Sequence, residues 1–291
     1  MTDIIQELLN KPACLSFEAI VRRNKEVARS EMKELANKYQ DLFKINSLDE
    51  LSGEFNVEYH NKFVIYLSGP PIRRNLKYSD ISLFSSSSDT VSYVLSSLPP
   101  LCFYFQLNGD YPSNSNFAFW FESAWLPPRQ IDLLTENVST IIASVSDGSP
   151  LQNCCKYLEA DAMSYLFSLG DPSSLVINAL ELFDSVTDQC QFVETLVDFE
   201  EVMRDKEFDL STHECPVCSE TYKGTHCIRL RACDHVFCKE CVAQCITENV
   251  ESGINSGSPV CPSCPKIVHP LEVKNIIVFS LKHCSYVHLT S

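Results

Sequence analysis

The stretch CDHVFCKEC, residues 233–241, decides the fold of the last part of this chain. Its nine residues contain three cysteines and one histidine, the residue types that bind transition metals as thiolate or neutral imidazole. A CxxC pair lies on either side, Cys215 with Cys218 and Cys261 with Cys264. This pattern indicates metal binding, and it raises the question of what such a metal would do.

Length, charge and termini limit the possible functions. The 291 residues carry a formal net charge of −15, which argues against a broad nucleic-acid-binding face. Between Glu181 and Glu214 there are eleven acidic and two basic residues, which we interpret as a solvated helix face or linker. The N-terminus does not have the form of a signal peptide, and no apolar run approaches the roughly twenty residues that span a bilayer. We therefore expect a soluble, cytoplasmic or nuclear protein without membrane association.

Eight candidate zinc ligands follow one another at characteristic spacing. The fifteen cysteines of an intracellular chain are expected to be reduced, which favours metal binding over disulfides. Zinc takes four such donors tetrahedrally, so eight donors predict two closed sites with a structural role. The candidates are Cys215, Cys218, Cys233, His235, Cys238, Cys241, Cys261 and Cys264. Four further residues, His213, His226, Cys227 and Cys245, are possible alternates, but the set is complete without them.

The first half of the chain has the pattern of an α+β domain. Residues 17–43 have helical spacing. FNVEY and KFVIYLSG (55–69) predict a hairpin that turns near His60 and Asn61. VSYVL, LCFYFQL and NFAFWF predict further strands, the first two separated by Pro99 and Pro100. Two helices are predicted after them, over 126–145 and 151–169, and in the second one Cys154 and Cys155 are expected to be buried as small apolar residues.

Residues 98–134, LPPLCFYFQLNGDYPSNSNFAFWFESAWLPPRQIDLL, resemble the RWD domain. The shared features are a strand, a Tyr-Pro turn, another strand and a Trp-Leu step into a helix. Tyr111 and Pro112 match the YPxxxP pattern of that family, whereas Asn116 replaces its second proline. The resemblance extends over about 29–170, and it implies a ubiquitin-conjugating-enzyme-like antiparallel sheet with helices and a role in binding proteins. Residues 1–28 resemble nothing known to us.

Residues 213–277, with ligand order C3HC4, resemble a RING zinc finger. The resemblance implies a cross-brace, in which Cys215, Cys218, Cys238 and Cys241 bind one zinc ion and Cys233, His235, Cys261 and Cys264 bind the other. It also implies recruitment of a ubiquitin-conjugating enzyme (E2) carrying ubiquitin. The E2 contacts would be Val217, in the first CxxC loop, and Pro262, in the last.

The order of the segments resembles the RWD-containing RING-between-RING family of E3 ubiquitin ligases. Residues 171–212 would be an acidic helical linker, whose apolar residues we expect to pack on a neighbour more readily than to bind a partner. Many one-step RING ligases have an arginine where this chain has Pro265, and this departure is typical of the first RING of the family. After the finger only the tail 278–291 remains, so the chain corresponds to the front part of such a ligase, without its thioester-forming module.

The sequence is compatible with three functions. The favoured one is an E3 ubiquitin transferase that brings the E2 and an RWD-bound partner together, with weak or no ligation by this chain alone. The second is a non-catalytic adaptor with the same binding surfaces. The third, a nucleic-acid-binding zinc finger, is disfavoured because the chain is acidic and no base-reading helix is evident.

Overall fold

The computed structural model describes residues 17–68, 76, 78, 81–84, 90–144, 149–169, 174–251 and 259–287. The chain divides into two compact units. The sheet unit comprises Met1–Gly69 and Leu95–Leu196, and the cysteine-rich unit comprises Pro70–Val94 and Val197–Ser291. Each unit is therefore assembled from two separate stretches of sequence. The serine run at 85–88 lies outside the described residues.

The sheet unit combines antiparallel strands with helices, as the sequence predicted. Its strands are β1 (Phe43–Ser47), β2 (Ser52–Ser68), β4 (Thr90–Gln106), β5 (Ala118–Ser123), β6 (Ser168–Leu169) and β7 (Ser174–Asn178). Its helices are α1 (Phe17–Tyr39), α2 (Pro128–Ser144), α3 (Pro150–Ala160), α4 (Ala162–Leu166), α5 (Ala179–Leu182) and the first part of α6 (Val186–Leu210). Strand β2 pairs with β1 and β4, β4 pairs with β5, and β7 adds to β2 in parallel.

The predicted hairpin at His60 and Asn61 is wrong, because β2 is one continuous strand. Its buried side chains keep one phase on both sides of these residues, for example at Tyr59 and Phe63. A two-residue turn at 60–61 would instead put residues 59 and 62 on the same face, and residue 62 is an exposed lysine. A strand of this length can pair with β1 at its start and with β7 at its end.

The predicted break at Pro99 and Pro100 is also wrong, because β4 runs through both residues. Its pairing with β5 begins only at Leu101, so the prolines need no N–H group for that ladder. The carbonyl of Pro99 instead accepts a hydrogen bond of 2.9 Å from the indole Nε1 of Trp125. This hydrogen bond holds Trp125, in the segment that leads into α2, against β4.

The helix predicted over residues 17–43 ends at Tyr39, since Phe43 begins β1, but several apolar positions that helical spacing selected do lie in the core of the sheet unit. Leu35 and Tyr39 of α1 and Leu134 of α2 are buried. Cys154 and Cys155 of α3 are fully buried, as expected of small apolar residues. Burial in this core raises the pKa of both thiols.

One buried polar group in this unit is fully paired. The hydroxyl of Tyr111, in the Tyr-Pro turn, donates to a carboxylate oxygen of Glu31 at 2.6 Å and accepts from the backbone N–H of Leu151 at 3.1 Å. The second oxygen of Glu31 accepts from the backbone N–H of Gln152 at 3.0 Å. The network joins α1, the turn and the start of α3, and it satisfies a carboxylate that would be costly to bury alone.

The segment predicted as a helical linker, residues 171–212, contains a strand as well as helices. Residues Ser174–Asn178 form β7 in the sheet, so the helical prediction is wrong there. It holds for Val186–Leu210, which form α6. Phe192 of α6 lies 6.2 Å from Trp125 and 5.2 Å from Phe183, measured between ring centroids, so this part of the helix packs as expected.

The cysteine-rich unit consists of short hairpins and helices. It includes β3 (Ser82–Phe84) paired with the first residues of β4, then β8 (Thr212–Glu214), β9 (Thr221–Lys223), β10 (Cys227–Arg229), β11 (Val236–Cys238), α7 (Lys239–Glu251) and α8 (Pro270–Val287). Tyr78 joins its two stretches of sequence, because its hydroxyl donates to Asp205 of α6 at 2.7 Å. Among the described helices of the chain, none is long and apolar enough to cross a bilayer.

Candidate metal centre

The first CxxC pair lies in the turn between β8 and β9. The N–H of Cys215 donates to the carbonyl of Glu220 at 2.9 Å, and the N–H of Ser219 donates back to the carbonyl of Cys215 at 2.8 Å. Ser219 has a φ of 59°, a left-handed conformation that closes the loop. The turn is thus a tight knuckle that carries two thiols, Cys215 and Cys218.

The quoted stretch CDHVFCKEC forms a second knuckle and the start of a helix. Strands β10 and β11 enclose Cys233 and His235, and the N–H of Leu230 donates to the carbonyl of His235 at 2.9 Å. Cys238 ends β11, and Cys241 lies in the first turn of α7, where its N–H donates to the sulfur of Cys238 at 3.4 Å. This geometry separates the four side chains into two pairs.

The last CxxC pair lies in a third tight turn. A bridge between Val260 and Ile267 closes it, and the N–H of Cys261 donates to the carbonyl of Lys266 at 2.9 Å. The N–H of Ser263 donates to the sulfur of Cys261 at 3.4 Å. Hydrogen bonds of this kind stabilise a thiolate and fix its direction.

Two separate groups of four donors result. Within each group the donor atoms all lie within 4.8 Å of one another. The first group, tetrad 1, consists of Cys215, Cys218, Cys238 and Cys241, and the second, tetrad 2, of Cys233, His235, Cys261 and Cys264. This is the grouping that the cross-braced resemblance implied, so CDHVFCKEC contributes two donors to each tetrad. Each tetrad could hold one metal ion.

The donors fit zinc in chemistry and in spacing. Nδ1 of His235 lies 3.5 Å from the sulfur of Cys261. Bond lengths of about 2.3 Å to sulfur and about 2.0 Å to nitrogen in a tetrahedron put these two atoms about 3.5 Å apart. Soft thiolates with at most one imidazole are the donor set of structural zinc sites. Every cysteine whose side chain the structure describes is a free thiol.

Backbone N–H groups favour the thiolate of one cysteine in each tetrad, whereas burial raises the pKa of Cys233, Cys238 and Cys241. Burial raises the pKa of Cys215, but hydrogen bonds from the backbone N–H groups of Cys218, Cys238 and Val217 outweigh it and lower this pKa to about 6. The backbone N–H of Lys266 is the main cause that lowers the pKa of Cys264. Zinc requires deprotonated thiols, so these donors assist metal binding.

The metal-binding side chains are also part of a small core. Its buried members are Leu230, Phe237, Val242, Ala243, Ile246, Val268 and Ile276 together with Cys215, Cys238 and Cys261. The unit therefore has more apolar packing than its sequence indicated, because α7 and α8 contribute to it. The tetrads lie within this packing, so their loss would also remove buried contacts.

The predicted E2 contacts are accessible. Val217 is 46% exposed between the two cysteines of its knuckle, and Pro262 is exposed after Cys261. Pro265 and Ile267 are exposed as well. These exposures are compatible with a docking role.

The alternate ligands belong to neither tetrad. His213 stacks on Phe208 with ring centroids 4.4 Å apart, and Cys227 is buried opposite Cys238 in the β10–β11 ladder. The sequence-based prediction missed Gly224. A Cβ at this position would overlap the carbonyl of Phe208, so α6 passes directly over this residue. A lone glycine just after a short strand was the available signal.

Comparison with curated proteins gives a consistent result. The chain is 22% identical over 223 residues to the E3 ubiquitin-protein ligase RNF14 of Homo sapiens, which covers 64% of this chain and 46% of that protein. It is 24% identical over 228 residues to RNF14 of Danio rerio (68% and 49%) and 27% identical over 177 residues to the E3 ubiquitin-protein ligase itt1 of Schizosaccharomyces pombe (59% and 36%).

The chain thus spans less than half the length of these relatives. No protein-family model and no solved structure matches it. These relatives are all named E3 ubiquitin-protein ligases, and the matches cover 59–68% of the chain. The resemblance to E3 ubiquitin ligases predicted from the sequence is therefore confirmed.

Proposed function

We propose that this chain supplies the RWD domain and the first RING of a RING-between-RING E3 ubiquitin-protein ligase. Residues 29–170 would be the RWD domain and residues 213–277 the RING. The observation that carries the proposal is the pair of interleaved tetrads, in a chain whose relatives are named as E3 ubiquitin-protein ligases. The proposed role is to bind an E2 loaded with ubiquitin and to hold a partner protein near it.

Each tetrad would bind one zinc ion with structural function. Four protein donors fill the tetrahedral coordination of zinc and leave no position for substrate, so the ion would supply stability and not a reaction step. Zinc binding is worth about 10–16 kcal/mol in small zinc peptides, and that free energy becomes folding free energy. The residues of the two tetrads would then hold the three knuckles in fixed positions relative to one another.

The E2 would dock on the knuckles themselves. Val217 lies between two donors of tetrad 1, and Pro262 lies between two donors of tetrad 2. Both metals would therefore fix the docking surface, and an exposed aliphatic side chain on rigid backbone is a suitable hot spot. Catalysis would come from proximity, because the bound E2 already carries ubiquitin as a reactive thioester.

The test compares two exposed valines of the cysteine-rich unit. Val217→Ala should weaken binding of ubiquitin-conjugating enzymes about tenfold, the scale of an interface hot spot. Val250→Ala is the matched control, because Val250 is 50% exposed near the end of α7 and lies in none of the three knuckles, and it should leave binding unchanged. Equal binding of both variants and the wild type would contradict the proposal.

An adaptor function is the second candidate. Pro265 bears on it, since the resemblance places an arginine at this position in one-step ligases, and its replacement favours binding of the E2 over direct transfer by this chain alone. The two functions are separated by discharge of ubiquitin from the loaded E2 to free lysine. We expect weak discharge that Val217→Ala reduces further. Binding without any discharge would support the adaptor, and brisk discharge would contradict the expected weak activity.

A further inference from the structure

The sheet unit has one face that its helices leave open. Along β4 the residues Leu101, Phe103 and Phe105 are buried, whereas Cys102 and Tyr104 between them are accessible. Helices α1, α2 and α3 contact β1, β5 and β2, and the buried aromatic side chains face this layer. The side chains that alternate with the buried ones, such as Cys102 and Tyr104, therefore form an outer face of the sheet.

An exposed aromatic pair lies on this outer face. Trp120 of β5 is 50% exposed and stacks on Tyr104 of β4, with ring centroids 5.1 Å apart and an interplanar angle of 10°. The two residues are direct register partners. Stacking holds the indole in place and leaves one of its faces to solvent, which is the arrangement that cation–π contacts require.

Carboxylates lie beside the aromatic pair. Glu122 follows Trp120 on the same face of β5, opposite Cys102, and it forms no ion pair with a basic side chain among the described residues. Glu54 of β2 is paired with Lys44 at 3.0 Å. Burial, then Glu122 and then Glu54 raise the pKa of the Cys102 thiol, and Lys44 lowers it by less, so the carboxylates outweigh the lysine at this position. We call Cys102, Tyr104, Trp120 and Glu122 the Trp120 patch.

Strand β5 is also an edge strand in the described part of the sheet, because it pairs only with β4. Its sequence, AFWFES, contains three aromatic residues and one charge. Edge strands usually carry lysine, proline or a bulge that prevents pairing with other chains. Here Glu122 is the one charged residue, and it would repel acidic partners only.

We propose that the β5 edge and the Trp120 patch bind an extended peptide segment of a partner protein in which lysine or arginine occupies alternate positions. The segment would add a strand to β5 through backbone hydrogen bonds. Its alternate side chains would point to the outer face, where one cation lies over Trp120 and another beside Glu122. The inference rests on the proposed role of residues 29–170 as a partner-binding RWD domain, and it names the chemistry of that partner.

Charge complementarity distinguishes this occupant from others. A basic segment would neutralise Glu122, the one charged residue of β5. A second copy of β5 would bring another aromatic strand but no cation to Glu122. An acidic segment would add repulsion at the same point. The basic peptide is therefore the occupant that satisfies both the rings and the carboxylate.

The experiment titrates the full chain with a short peptide of alternating lysine and threonine. A matched peptide has glutamate in place of each lysine. Calorimetry gives the affinity, and tryptophan fluorescence reports on Trp120, since Trp125 is buried. We expect the lysine peptide alone to bind, and to bind about fivefold more weakly to Trp120→Ala, as loss of a cation–π contact implies. Glu122→Gln should also weaken binding, more at low salt than at high salt.

The control is Tyr165→Ala, which removes a 52% exposed aromatic residue on α4 and should leave the affinity unchanged. Thermal unfolding checks that each variant stays folded. Equal binding of both peptides, unchanged affinity in Trp120→Ala and Glu122→Gln, or no binding at all would overturn the proposal. Self-association through β5 in sedimentation would also overturn it. No E2 or ubiquitin is present, so failure here leaves the docking role of Val217 untouched.

Discussion

Nδ1 of His235 lies 3.5 Å from the sulfur of Cys261, although the two residues are 26 positions apart. The spacing fits two donors of one tetrahedral metal ion. Between them in sequence lie Cys238 and Cys241, which belong to the other tetrad. The two proposed ions would therefore stabilise each other's knuckles, and loss of either one should affect the whole unit.

Removal of one tetrad donor should unfold the small core of the cysteine-rich unit. His235→Ala leaves three thiols for tetrad 2, and structural zinc contributes about 10–16 kcal/mol in small zinc peptides. We expect loss of dispersed amide and methyl signals from the residues around Phe237 in NMR spectra. The control is His213→Ala, which removes a histidine outside both tetrads and should keep these signals. Intact signals in His235→Ala would contradict the structural role.

Substitution of Gly224 should destabilise the same unit without touching a donor. In Gly224→Ala the new Cβ overlaps the carbonyl of Phe208, so α6 and the knuckle region must move apart. We expect a cost of about 1–3 kcal/mol, the scale of overpacking at a tight site, measured by denaturant unfolding of the zinc-loaded protein. Gly109→Ala is the matched control, because its Cβ would meet only the end of the Lys25 side chain. Equal stability of both variants would argue against close packing at Gly224.

The buried Glu31 should make stability depend on pH. Burial is the main cause that raises the pKa of Glu31 in the folded protein. This pKa therefore lies above the value of about 4.3 that a glutamate has in the unfolded chain. The folded state therefore binds the proton more tightly, so the stabilising effect is present below the unfolded pKa and is lost as pH rises through the folded pKa. Relative to Glu31→Gln, the wild type should lose unfolding free energy across this window. A difference that does not change with pH would contradict the assignment.

The N-terminal part of α6 should be essential to the core of the sheet unit. Phe192→Ala removes a ring that packs on Trp125 and Phe183, and we expect a loss of about 3–5 kcal/mol. Val186→Ala, at an exposed position of the same helix, should cost much less. Denaturant unfolding measures both. Similar costs for the two variants would mean that this part of α6 is a detached linker.

The sequence predicted the metal site better than it predicted the sheet. Short CxxC spacings force two thiols to converge, so the donors could be named without knowledge of the strands around them. Their division into tetrads came from a family resemblance, because eight donors in a row allow several pairings. The core around Phe237 was not anticipated, since Ile276 of α8 lies outside the range of the donors.

The strand errors have identifiable causes. The two alternating runs on either side of His60 and Asn61 predict a hairpin, yet the buried residues Tyr59 and Phe63 keep one phase across them. Pro99 and Pro100 predict a break between two strands, but a strand tolerates proline where its ladder needs no N–H group. Strand β7 was missed because its pairing partner lies more than a hundred residues earlier, in β2. Local patterns do not contain such long-range pairings.

The most direct test of the central claim is the zinc content of the purified full chain. We predict about two zinc ions per molecule in the wild type and in Cys227→Ser, and fewer in Cys238→Ser. Cys227 and Cys238 are neighbours in the same ladder and are both buried, but only Cys238 belongs to a tetrad. A wild-type protein without zinc, or equal loss in the two variants, would contradict the two-metal structure on which the proposed E2 docking surface depends.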